Sequence, residues 1–326
     1  MFDIAAIGES LIDFTPSGHN KMGMAVFSQN PGGAPSNVLA MASKLGGSTA
    51  FIGKVGDDDF GRFLKSSMES AGIDISGLVM AKDKNTTLAF VHLNEKGDRS
   101  FSFYRRGEAD VCLRQDEVNK NLLENCGIFH FGSVSLTDEP SRGTTLASVG
   151  YAKKHGAVIS YDPNYRPLLW DSREHACSEM LNALKFADIV KVSEEEMEMM
   201  TGETDYAAGS EKLAGHGAAI VIVTLGAHGS FYHTANASGI MPAYDVKTVD
   251  TNGAGDAFFG AVLYSLRNMS LSRLRTLPSE ELREIIKFGN AAGSLTTTKN
   301  GAIPAMPSIS EVKKCMAEAP LLTQAH

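Results

Sequence analysis

Asp250-Thr-Asn-Gly-Ala-Gly-Asp-Ala-Phe-Phe-Gly-Ala261 is the stretch on which the reading of this chain turns. Tyr244 to Val249, just before it, is rich in β-formers and predicts a short strand. Phe258, Val262 and Leu266, just after, recur at helical spacing and predict an amphipathic helix. Gly253, Ala254 and Gly255 then fall where a strand turns into a helix N-terminus. Small residues there let backbone N–H groups approach an anion, and the helix dipole favours negative charge at that end. Asp256 lies in the first turn, where a carboxylate beside a phosphate suits a base that takes a hydroxyl proton during phosphoryl transfer. The same letters also suit tight packing and an aspartate that merely complements the dipole. Two other readings fail on the letters. A dinucleotide fingerprint needs a third glycine where Phe258 stands. A P-loop needs Gly-Lys followed by Ser or Thr, and the only Gly-Lys, Gly53-Lys54, is followed by Val55.

Working outward, apolar strand-like runs alternate with helical patterns, which predicts an α/β fold with a mostly parallel sheet covered on both faces. The runs are Asp3 to Gly8, Thr49 to Val55, Gly127 to Gly132, Ala157 to Tyr161, Asp188 to Val192 and Ile220 to Leu225. One region breaks the alternation. Thr86 to Leu93 and Arg99 to Arg105 are β-rich and joined by Asn94-Glu-Lys-Gly-Asp98, which predicts a hairpin outside the parallel sheet. With part of residues 14–31 it reads as a small β lid, about 14–31 and 86–106, inserted in one domain spanning 1–326. A short final helix is expected after Pro307, seeded by Ser310.

The chain has 326 residues, 30 basic and 38 acidic, for a net charge of −8 and no basic block. Nucleic acid and anionic membrane are therefore not expected as partners. Cys112, Cys126, Cys177 and Cys315 form no C-x-x-C pair, which fits reduced thiols and a cytoplasmic protein. Neither a signal peptide nor a membrane-length apolar run is expected.

The opening stretch also resembles the C-terminal signature of the ribokinase-like (PfkB) sugar kinases. Gly32-Gly33-Ala34-Pro35-Ser36-Asn37 with Ala40 resembles their N-terminal signature. The likeness runs from Gly8 to about Pro307. It is strongest to the fructokinases, through Phe51 to Gly61, Thr86 to Val91 and Ser102 to Arg105. The resemblance implies a three-layer sandwich with a β lid and transfer of a phosphoryl group from ATP to the 6-hydroxyl of fructose. Asp256 would be the base, and the N–H groups of Gly253, Ala254, Gly255 and Asp256 the anion hole. It implies Asp13, Gly32, Gly33, Asn37, Arg105, Asn164 and Arg166 on the sugar side. Lys191, Ser193, Thr224, Gly226, Gly229 and Asn290 would serve the nucleotide. Glu196 would act on Mg²⁺ indirectly, and Asp250 and Asn252 would hold a monovalent cation, K⁺. The lid would form a homodimer contact.

Several of these residues have a second reading. Ser193 to Glu196 is also a capping box, Asn37 could be a helix cap, and Arg166 could pair with a buried carboxylate. A 2-keto-3-deoxygluconate kinase would share Asn164 and Arg166, but should need further positive charge near Arg105. A sugar-binding regulator that lost catalysis should lack the base or fill the glycine turn, and neither is seen.

Overall fold

The computed structural model describes residues 1–93 and 99–322. The chain opens with β1 (Phe2–Ile7), β2 (Leu11–His19), β3 (Ala25–Gly32), α1 (Ala34–Lys44), β4 (Thr49–Gly56), α2 (Asp59–Ser70) and β5 (Ile73–Ala81). Then follow β6 (Leu88–Leu93), β7 (Arg99–Tyr104), α3 (Lys120–Glu124), β8 (Cys126–Gly132), α4 (Ser141–Lys154), β9 (Val158–Asp162) and α5 (Arg173–Leu184). The next elements are β10 (Ile189–Ser193), α6 (Glu194–Thr201), α7 (Tyr206–Ala214), β11 (Ile220–Thr224), β12 (Ser230–His233) and β13 (Ser238–Met241). Four helices close the chain: α8 (Ala254–Leu266), α9 (Leu271–Arg275), α10 (Ser279–Thr296) and α11 (Ile309–Glu318).

Nine strands form one sheet in the order β13-β12-β11-β10-β9-β8-β1-β4-β5. It is parallel from β11 to β5, and the β12–β13 hairpin is antiparallel. Residues alternate between faces because successive side chains of a strand point opposite ways. Ile4 and Ala6 pack with α1, α8 and α10 in one core, while Ala5 and Ile7 pack with α4, α5 and α7 in a second. With apolar layers on both sides, the strands read as continuous buried runs. Strand order reverses at β1, which lies between β8 and β4. Ligands of such sheets sit beyond the carboxyl ends of the strands at that switch point.

A second sheet, in the order β3-β2-β6-β7, stands over this end. Asp13 does not end the first parallel strand but lies inside β2, opposite Asn30. The chain leaves β1 at Ile7 and is already paired in the small sheet at Leu11. The Asn94–Asp98 loop of the expected hairpin lies outside the described residues.

Two further expectations are corrected. Tyr244 to Val249 is not a strand: apart from one bridge between Tyr244 and Leu321 it is irregular. Its N–H groups are taken by other partners. Tyr244 donates to Ser294 Oγ, Asp245 to Pro320 O and Val249 to Thr297 O. α11 is capped by Ser308, not seeded by Ser310, in a capping box with Glu311.

Candidate active site

Asp256 stands in the first turn of α8, which begins at Ala254 after Gly253 at φ 72°. A left-handed backbone favours glycine, and a Cβ at Gly253 would also lie 2.5 Å from the Ala302 Cβ. The Ala254 N–H already donates to Thr251 O at 3.3 Å. The N–H groups of Gly255 and Asp256 have no backbone acceptor among the described residues, as expected at a helix start. The two Asp256 oxygens are held by different amides. Asn37 Nδ2 donates to one at 2.8 Å, and Asn164 Nδ2 approaches the other at 3.4 Å.

A cavity of about 520 Å³ opens beside this carboxylate. Asp13, Gly33, Asn37, Asn164, Arg166, Lys191, Ser193, Glu196, Asn252, Gly253 and Gly255 line it. Gly32 makes room for Asp13, since a Cβ there would meet its carboxylate at 2.2 Å. Burial pushes the Asp13 carboxyl up to about 6; Arg166 opposes the shift and Asp256 adds to it. Arg105 is placed elsewhere. Its buried guanidinium pairs with Asp110 at 2.7 Å and donates to Thr137 Oγ1 and Val134 O. It ties the base of the small sheet to the main body and does not line the cavity, so the expected sugar-side role has no support in the geometry.

The residues assigned to the nucleotide divide into two groups. Lys191 and Ser193 line the cavity just described. Thr224, Gly226, Gly229 and Asn290 line a separate groove of about 550 Å³, with Tyr244, Phe258 and Leu322. Thr251 and Gly255 border both, so groove and cavity meet at the start of α8. The Asn290 amide is fully engaged. It accepts from Ser230 Oγ and donates to Met241 O and Pro242 O, fastening α10 to the β12–β13 hairpin. Gly229 packs against backbone, where a Cβ would lie 2.1 Å from Met241 O. Gly226 has open space before it.

Ser193 and Glu196 form the capping box of α6. Glu196 also accepts the Tyr165 N–H at 2.6 Å, so the same carboxylate holds the turn that carries Asn164. Asp250 accepts from Asn252 N and from Gly301 N, both at 3.0 Å, and so ties the loop expected to hold a monovalent cation to the loop at Gly301.

Two acidic residues at the site were not singled out in the sequence. Glu9, directly after β1, is 3 % exposed and accepts the Ala34 N–H at 2.9 Å at the start of α1. Burial pushes its carboxyl up to about 7, against hydrogen bonds from the backbone. Asp162, at the end of β9, is 1 % exposed and pairs with Lys191 at 2.6 Å. The available signal was position: each is an acid at the carboxyl end of a parallel strand.

A family model described as pfkB family carbohydrate kinase matches residues 1–309. Fructokinase-1 of Zea mays is 43% identical over 322 residues, covering 97% of this chain and 98% of that protein. The crystal structure of fructokinase from Xylella fastidiosa with bound ATP superposes with a TM-score of 0.90 at 34% identity, covering 98% of this chain and 99% of that one. A fructokinase double mutant from Vibrio cholerae O395, in fructose, ADP and potassium ion bound form, gives 0.85 at 31% identity, covering 96% and 97%.

Proposed function

The chain belongs to the pfkB family of carbohydrate kinases, and on that premise we propose that it transfers the terminal phosphoryl group of ATP to the 6-hydroxyl of fructose. The observation that carries this reading is the position of Asp256. It stands at the N-terminus of α8, beside the border shared by cavity and groove, with an asparagine amide on each oxygen. Fructose would lie in the cavity against Asp13, Asn37, Asn164 and the Gly32–Gly33 turn, with Arg166 on the open side. ATP would lie along the groove, its phosphates reaching the free N–H groups of Gly255 and Asp256. Asp256 takes the proton of the 6-hydroxyl as that oxygen bonds to phosphorus and the bond to the leaving ADP oxygen breaks. The helix N–H groups and the Lys191 ammonium oppose charge that builds on the transferred group. The small sheet limits the access of water.

Among the described residues no cluster of His, Cys, Asp and Glu is arranged to hold a metal ion. That fits a divalent ion carried by the nucleotide phosphates. Glu196 would hold such an ion, Mg²⁺, through water, since each of its oxygens already accepts one backbone N–H. When bound, Mg²⁺ neutralises charge across the terminal phosphates. The Asp250–Asn252 loop, tied to Gly301, would hold K⁺ through backbone carbonyls.

A 2-keto-3-deoxygluconate kinase is less favoured, because it should need further positive charge near Arg105, and Arg105 itself is paired with Asp110 and lies off the cavity. A silent regulator is disfavoured by the intact base and open glycine turn. ADP release measured across fructose, ribose, glucose, adenosine and 2-keto-3-deoxygluconate tests the reading. Fructose should give the highest kcat/KM, and 2-keto-3-deoxygluconate or adenosine outperforming it would sink the assignment. Asp256→Asn should bind both substrates and lose roughly 10²–10⁴-fold in kcat; full turnover would refute the base.

A further inference from the structure

Asn164 and Lys191 approach the start of α8 from different strands, and one carboxylate holds both. Asn164 follows β9 and adopts a left-handed backbone at φ 49°, the only such non-glycine residue among those described. Asparagine tolerates this conformation when a side chain closes the turn. Here the Asp162 Oδ1 accepts the Asn164 N–H at 3.1 Å. The turn aims Asn164 Nδ2 at Asp256. Lys191 projects from the neighbouring β10, and its Nζ donates to Asp162 Oδ2 at 2.6 Å. That ammonium lies beside the helix start, where a Cβ on Gly255 would be 3.3 Å from Nζ. Burial works against its charge, but Asp162, Glu196 and Asp256 outweigh burial and lift its pKa above the ordinary lysine value. An ammonium has three donors. Asp162 is the one hydrogen-bonded partner of Nζ among the described residues, which leaves two donors for oxygens of an arriving phosphoryl group.

We infer that Asp162 is a positioning residue for phosphoryl transfer: one oxygen fixes the Asn164 turn on the sugar side of Asp256, and the other fixes the Lys191 ammonium on the phosphate side. Asp162 itself touches neither the base nor the expected path of the substrates. A buried carboxylate with a single partner would be poorly compensated; with a backbone N–H and an ammonium it is held by two hydrogen bonds. Register matters as well. β9 and β10 pair in parallel with Val190 beside Tyr161, so the next residues along, Lys191 and Asp162, emerge side by side at the ligand end of the sheet. The inference rests on the kinase reading above and deepens it, since it names the group that aligns the two halves of the site.

The test is a double-mutant cycle on Asp162 and Lys191, with Asp256→Asn as reference. Asp162→Asn keeps a carbonyl for the Asn164 N–H but loses the charge that anchors Lys191. Its kcat should fall on the order of 10²-fold, while KM for fructose stays within about threefold. Lys191→Met should fall comparably, and the double variant no further than the poorer single one, because both act through one contact. Asp162→Ala, which also frees the turn, should in addition raise KM for fructose. If Asp162→Asn fails to fold because it leaves a buried ammonium unpaired, the double variant removes that charge, and it should fold and turn over like Lys191→Met. A wild-type kcat in Asp162→Asn, multiplying losses in the double variant, or a double variant well below Lys191→Met would overturn the inference. If Asp256→Asn is also fully active, the kinase reading of the site falls with it; if Asp256→Asn is dead, only the role of Asp162 falls.

Discussion

Asp13 and Glu9 border the same cavity, and burial moves both carboxyls in the same direction with different consequences. Glu9 titrates near 7 in the folded chain against 4.5 when free. A raised carboxyl means that the folded state binds the proton more tightly than the unfolded one. Its favourable contribution is therefore complete below about pH 4.5 and is lost as pH rises toward 7. Glu9→Gln mimics the neutral form at every pH. The Tm of the wild type should match that of Glu9→Gln near pH 4.5 and fall behind it progressively up to about pH 7.5, where the gap levels off. Parallel Tm curves would show that burial does not perturb Glu9. Asp13, raised to about 6, must be ionised to accept sugar hydroxyls with both oxygens. Accordingly kcat/KM for fructose should rise through about pH 6, while KM for ATP shows no matching step. At this scale the sequence displays residue types but not directions. The Asp256 motif is legible because its glycines and acid are adjacent in the chain. That Arg105 faces Asp110 and Asn290 faces the β12–β13 hairpin depends on partners far away or on how a side chain turns.

Helix starts were legible where a local cap or turn marks them, and α1 and α8 show why the site needs the two helices close together. Periodicity and capping are local signals, so α8 begins at the expected turn and α6 at its capping box. The β-formers of Tyr244 to Val249 instead meet α10 and the segment after α11, and strand propensity depends on such neighbours. The four-residue strands β12 and β13 are too short to show a pattern. α1 and α8 touch where α8 carries Gly260. A Cβ there would lie 2.5 Å from Val38 O and 2.8 Å from the Met41 Cβ. One turn earlier on α8 is Asp256, and next to Val38 on α1 is Asn37, whose amide reaches it at 2.8 Å. Gly260 thus sets the approach that allows this contact. Gly260→Val must push the helices apart, costing roughly 1–3 kcal/mol of stability. It should also lower kcat when assayed well below its Tm, since Asn37 would retreat from the base. A lower Tm with an unchanged kcat would mean that the contact survives separation, and that Gly260 serves packing alone.

The molecule as a whole pairs a large, doubly covered sheet with a small sheet that has one face on the cavity and another turned outward. The alternating apolar runs made the large sheet legible, whereas β2 carries Pro16 and Gly18 and shows no clean alternation, so its extent was not. In the small sheet, Leu11, Asp13 and Phe103 face the cavity. Strand pairing puts Phe14 beside Phe90, Pro16 beside Phe27 and Leu88 beside Tyr104, all on the opposite face. Phe14 and Phe90 stack at 4.7 Å, and Phe27 and Tyr104 meet Phe90 edge-on. Of this row Phe14 rests on Phe60 of α2, whereas Phe27 and Phe90 are half-buried and Tyr104 is 62 % exposed. An apolar aromatic face left open in this way marks an interaction surface. We propose that a second copy of the chain covers it, each small sheet laid on the other about a two-fold axis, because a self-complementary patch closes most simply as such a dimer. Sedimentation equilibrium at micromolar concentration should then give twice the chain mass. Phe27→Asp with Tyr104→Asp should give a monomer with an unchanged far-UV spectrum, because neither side chain lies in either core. A wild-type chain that sediments as a monomer at every concentration, or a dimer untouched by the paired substitution, would place the contact elsewhere and leave this face to another partner.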